Sequence, residues 1–177
     1  DVDQSNEFGL EINQTLSPLM TIKNSGQLRK KYVESTVSDL RNRDVKGWWN
    51  EIQLQVKLSE SLDFDLGLMG GFDSGNQQGK PFSSQAYGLL LNGRFFFKKT
   101  GRFQSQISWV NAAEKNKLPY LPPEALNGFP VGTSFRSNTR LQYFLNRSVS
   151  MIFTLNTIDD SRYDNFITFR GEIRAHF

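Results

Sequence analysis

This chain has no cysteine, which removes disulfides, thiolate metal sites and cysteine nucleophiles from consideration. It has one histidine, His176, beside the C-terminus. That leaves only carboxylates as metal donors. Asp159-Asp160 and Asp63 with Asp65 lack the oxygen-rich loop of a calcium site. No nucleophile–base pair can be assembled around His176, so an enzyme is not expected, and neither is a cofactor. Gly67, Gly70 and Gly71 are not followed by Gly-Lys-Ser/Thr, so they form no phosphate loop. Strand curvature or close packing is their expected role. There is no apolar run of about 18 residues, and mean hydropathy is −0.50. A transmembrane helix is therefore excluded. Membrane strands are not, because about 9–11 residues suffice and every second one faces away from lipid. Long charge blocks are also missing. The net charge of +3 is spread along the chain and gives no argument for nucleic acid. Position 1 is Asp and no signal peptide follows; the expectation is a removed leader or further residues ahead of Asp1.

What the chain does have is aromatic residues and alternation. It carries fifteen Phe, five Tyr and three Trp in 177 residues, a content suited to strands and interfacial girdles. Trp48, Trp49, Trp109, Tyr87, Tyr143 and Tyr163 are the girdle candidates. The length fits one domain, 1–177, with 1–45 weakly patterned. Phe8, Leu10 and Ile12 alternate, in a strand that continues toward Ile22 with an irregularity at Ser17-Pro18. Asn24-Ser25-Gly26-Gln27 reads as a turn. Residues 29–40 are the weakest strand candidate and also admit a helix.

From Trp48 the pattern is firm. Ile52, Leu54, Val56 and Leu58 alternate with Gln53, Gln55 and Lys57. Leu62, Phe64, Leu66 and Leu68 follow, against Asp63 and Asp65, after a link at 59–61. Tyr87 to Lys98 is a strand ending in a tight turn at 99–101. Phe103, Ile107 and Trp109 alternate with Gln104, Gln106 and Ser108. Leu141, Tyr143, Met151, Phe153 and Leu155 continue the phase around a link at 146–147. Segments 73–85, 112–131 and 157–165 read as longer polar loops. In 112–131, Leu118-Pro119-Tyr120-Leu121-Pro122-Pro123 predicts an ordered fold-over that cannot join a ladder.

The C-terminus is the clearest stretch. Phe177, Ala175, Ile173, Gly171, Phe169 and Ile167 fall on one face, and His176, Arg174, Glu172, Arg170 and Thr168 on the other. A terminal Phe preceded by alternating apolar residues resembles the C-terminal signature of bacterial outer-membrane β-barrel proteins. The stretch from Pro119 through Gly132-Thr133, with the last hairpin, is also loosely similar to the C-terminal part of large uncharacterised outer-membrane proteins of Gram-negative bacteria. The resemblance implies an all-β, antiparallel up-and-down (meander) barrel of about eight to ten strands, of transmembrane type. It implies location in the bacterial outer membrane, and outer-membrane lipid and the barrel-assembly machinery as partners. The implied role is non-enzymatic: an anchor, a scaffold or a small porin-like pore.

On that reading Leu54, Leu66, Leu91, Trp109, Phe153, Ile173 and Phe177 face lipid. Asp63, Asp65, Arg94, Arg136, Arg140, Arg170, Glu172 and Arg174 face the lumen, and the long loops share the external end. Counting residues 8–22 as one strand gives about nine, whereas bacterial single-chain barrels have even numbers. The first and last strands are therefore expected to pair with another protein chain or with a missing N-terminal segment. Otherwise residues 1–28 lie outside an eight-stranded wall. The competing class is a soluble all-β domain, a sandwich or lipocalin-like barrel, whose apolar face points into a core.

Overall fold

The structure, a computed structural model, describes residues 2–35, 42–97, 100–116, 118 and 121–175. Nine strands form one sheet in sequence order, each antiparallel to the next. They are β1 (Val2–Ser17), β2 (Met20–Glu34), β3 (Arg43–Lys57), β4 (Leu62–Gln77), β5 (Lys80–Phe97), β6 (Gly101–Glu114), β7 (Gly132–Phe144), β8 (Val149–Asp160) and β9 (Tyr163–Ala175). Among the described residues the only helical element is a short 3₁₀ turn, Ala125–Gly128. The sheet does not close: β1 and β9 are its two edges. Because neighbours alternate in direction and the strand number is odd, β1 and β9 run the same way.

Several sequence expectations are corrected. Residues 8–22 are not one strand but two, turning at 18–19, and both belong to the sheet, so 1–28 is not outside it. The turn expected at 24–27 is the middle of β2, where Gly26 opposes Leu10 on one side and Asn50 on the other. Two flanking ladders outweigh the local turn preference. Residues 29–34 are strand, not helix. The long loop expected at 73–85 is a two-residue hairpin turn. There Gln78 (φ 54°) and Gly79 (φ 76°) are both left-handed, the backbone that a tight right-twisted hairpin requires. Likewise 157–165 is mostly ladder, turning at Ser161-Arg162. Polar side chains do not prevent pairing, because backbone groups and not side chains make the ladder. Two of the three longer loops read from the sequence are therefore tight turns, although the turns at Gln78-Gly79 and Ser161-Arg162 and the 3₁₀ turn Ala125–Gly128 do lie at one rim. Phe177, His176, Pro119, Tyr120 and residues 36–41 lie outside the described residues.

The sheet is strongly curled. In a flat sheet β2 and β7 would stand roughly 24 Å apart, five strand spacings. Yet Arg29 of β2 bonds Asn127, while Arg136 of β7 bonds the carbonyl of the next residue, Gly128. One loop thus spans the trough. It rests where the inner face carries small residues: Gly47, Gly71, Ala86, Gly88 and Ala112. A Cβ on Gly47 would lie 2.0 Å from the Asp73 carboxylate, so that glycine leaves room for it.

Candidate functional site: a loop folded onto a polar inner face

The described residues of loop 115–131 pack onto the inner face through Leu118, Leu121, Ala125, Leu126 and Phe129. Leu126 is fully buried and packs with Trp49, Met69, Ala86, Leu90, Val110 and Ala112, with Phe129 and Leu121 alongside. A second cluster joins Ala125 to Val45 and Phe82. Trp49 stacks on Phe129 at 6.0 Å, so the expectation of Trp49 as a girdle residue is overturned: its neighbour Trp48 faces outward and Trp49 faces in. Alternation requires this split.

Polar anchors fix the loop. Asp73, wholly buried, accepts hydrogen bonds from Arg29 Nε at 3.2 Å and Nη2 at 2.6 Å. It also accepts from the Leu126 backbone N–H at 2.6 Å. A buried carboxylate needs such compensation. Arg43 binds Glu124 in a forked pair, with Nη2 at 2.7 Å. Arg136 and Arg162 both donate to the Gly128 carbonyl, at 3.0 and 3.1 Å, and the Arg136 guanidinium lies 4.1 Å from the Phe129 ring centroid. Asp160 pairs with Arg162 at 3.1 Å and Arg136 at 3.7 Å. Asp160 is held below the ordinary carboxylate range: burial pushes it up, but the hydrogen bonds and charge of Arg162 and the Tyr163 N–H outweigh that.

Register sorts the remaining residues. Leu54, Leu66, Leu91, Trp109, Phe153 and Ile173 occupy the outer face, opposite to the loop; Asp63, Asp65, Arg94, Arg136, Arg140, Arg170, Glu172 and Arg174 occupy the inner one. Asp63, Asp65 and Arg94 come together, with ion pairs of 2.7 and 3.4 Å. Glu172 pairs with Arg174 at 2.7 Å and more distantly with Arg170 at 3.9 Å. Among the described residues Arg140 makes no ion pair, and its Nε is buried without a hydrogen bond. Sequence reasoning missed Arg29 and Asp73. Asp73 sits on the inward phase of β4 beside Gly71, a signal that the polar stretch following it obscures.

The outer face carries exposed apolar side chains. Leu66, Leu68, Leu89, Leu91 and Ile52 stand exposed there; Leu68 is 62% exposed and Ile173 71%. Aromatics border this aliphatic zone in two tiers. One tier holds Trp48, Phe72, Tyr87, Trp109 and Phe135; the other holds Phe64, Phe95, Phe103 and Tyr143. Polar outward groups find each other: Ser105 and Thr139 hydroxyls lie 2.9 Å apart, and Asn50 donates to Asn24 at 2.8 Å.

Among the described residues no group of three His, Cys, Asp or Glu is placed to hold a metal, and no helix is long and apolar enough to cross a membrane. No protein-family model, curated protein or solved structure matches the chain.

Proposed function

We propose that this chain is part of the wall of a bacterial outer-membrane β-barrel, acting as a non-enzymatic anchor or scaffold whose interior is obstructed at one rim by loop 115–131. The observation that carries this reading is the outer face: exposed aliphatic side chains between two aromatic tiers. From Phe64 to Phe72 is eight residue steps, roughly 27 Å along the strand, or about 20 Å along the normal for a strand tilted by 40°. That approaches the apolar band of about 25 Å that barrels present to lipid. A soluble sandwich or lipocalin-like domain would bury this face. Here it is the other face that is covered. The rim with the loop, opposite to the end of β9, is then the external one.

Edges in hydrocarbon leave unpaired N–H and C=O groups at several kcal/mol each. The proposal therefore includes further strands, from a preceding segment or another chain, between β9 and β1. Since those two strands are parallel, an odd number of added strands completes an all-antiparallel wall. Detergent-dependent extraction with heat-modifiable gel mobility is the expected behaviour. Recovery in a detergent-free soluble fraction as a monodisperse monomer would overturn it.

A further inference from the structure

Below the loop, the inner face changes from charged anchors to carboxamides and hydroxyls. We infer that the groove lined by Asn92, Gln104, Gln106 and Asn138 binds a neutral polyhydroxylated ligand, an oligosaccharide segment.

Two adjoining cavities carry the inference. One, of about 290 Å³, is bounded by Asn92, Arg94, Gln104, Gln106, Asn138 and Asp65. The other, of about 490 Å³, shares Gln106 and Asn138 with it and continues past Arg136, Asn156 and Thr168 beneath Phe129. These are the dimensions of small-molecule sites. Register makes the lining one row: Asn92 opposes Gln106, Gln106 opposes Asn138, Asn138 opposes Asn156 and Asn156 opposes Thr168. Arg94 in the groove is paired with Asp63 and Asp65, and Arg136 with Asp160, while the Nε of Arg136 and that of Arg140, which opposes Gln104, are buried without a hydrogen bond. A sulfate comparator therefore belongs in the test.

The amides are not compensated to the same degree. Asn138 donates to Asn156, which donates to Thr168 at 3.3 Å. Among the described residues the side chains of Asn92, Gln104 and Gln106 have no such bond. Each carboxamide offers two donors and an acceptor. A sugar hydroxyl both donates and accepts, so a row of such amides matches a polyol better than it matches an ion of either sign. Only inner-face residues line the groove, so ligand binding there is independent of whether the outer face meets lipid.

The test uses the full chain folded in detergent micelles, with the side-chain ¹H–¹⁵N signals of Asn92, Gln104 and Gln106 as the readout. Maltohexaose, cellohexaose and chitohexaose are titrated separately, with sodium sulfate as the charged comparator. The expected result is a saturable shift with at least one hexasaccharide in the millimolar range and none with sulfate. Gln106→Leu, at an exposed position, weakens that binding about tenfold, the loss of one well-made hydrogen bond. Arg170→Gln, outside the groove, leaves it unchanged. Three results overturn the inference: no saturable shift with any of the sugars, as for a water-lined passage; sulfate shifting these signals in place of the sugars; or Gln106→Leu and Asn92→Leu both binding as the parent chain does.

Discussion

β4 and β9 carry the same alternation and end in different environments. On β4 the inward residues Asp65, Gly67, Met69, Gly71 and Asp73 are all buried. On β9 every residue except Glu172 is exposed, on both faces. Alternation decides which way a side chain points, but not whether anything covers it. Burial on β4 comes from two ladder partners and from the loop residues around Leu126 above it; β9 has one partner and, among the described residues, contributes nothing to the buried clusters. Buried side chains are therefore concentrated in β3 to β6, whereas β1 and β9 each have a single ladder partner.

The largest effect should come from the loop's main anchor. Asp73→Ala leaves Arg29 partly buried without its partner and frees the Leu126 N–H. Loss of a buried partner of this kind costs about 3–5 kcal/mol. Urea unfolding followed by tryptophan fluorescence should show it, together with new protease cleavage within 115–131. The matched edge change, Glu172→Ala, should leave the unfolding midpoint in place. Equal effects would erase the contrast between centre and edge.

The two faces should differ next. Leu66→Arg, in the outer band, should cost roughly 2–4 kcal/mol in lipid, whereas Gln53→Arg on the inner face should stay within about 0.5 kcal/mol. Folding equilibria in lipid vesicles measure both.

Two glycines sharpen the comparison further. A Cβ on Gly71 would sit 2.5 Å from the Trp48 carbonyl and 2.6 Å from the Trp49 ring, whereas one on Gly93 meets nothing within 4 Å. Gly71→Ala should lose about 1–3 kcal/mol by overpacking, and Gly93→Ala should be neutral in the same unfolding assay.

The smallest effect concerns pH. Asp160 has a depressed pKa in the folded chain. Its contribution is thus fully present above the ordinary Asp value of about 3.9 and is lost as pH falls through the lower, folded value. Proteolysis of the loop rim should rise only in that acid window, and Asp160→Asn should remove the part of the pH dependence that Asp160 supplies.

Strand phase was legible in the sequence because alternation is a local signal: Leu54, Leu66 and Leu91 share a face by counting alone. Strand length was not. Residues 73–77 and 80–85 look like loop because their side chains are polar, while their backbones are fully laddered. The Asp73–Arg29 anchor joins residues on strands that are not neighbours: Arg29, Gly47 and Asp73 stand in one row of the register, and the two side chains meet over Gly47, a relation visible only once all three strands are aligned. The loop's fold-over was legible in its Leu and Pro content, but its landing place depends on small residues scattered over four strands.

The central claim is that the outer face meets lipid, and Trp48 and Trp49 test it side by side. Three single-tryptophan chains, retaining Trp48, Trp49 or Trp109 with Phe at the other two positions, are folded into vesicles whose acyl chains are brominated. The account predicts strong quenching of Trp48 and Trp109 and little of Trp49, which lies inward against Phe129. Equal quenching of all three, or none in any, would contradict it.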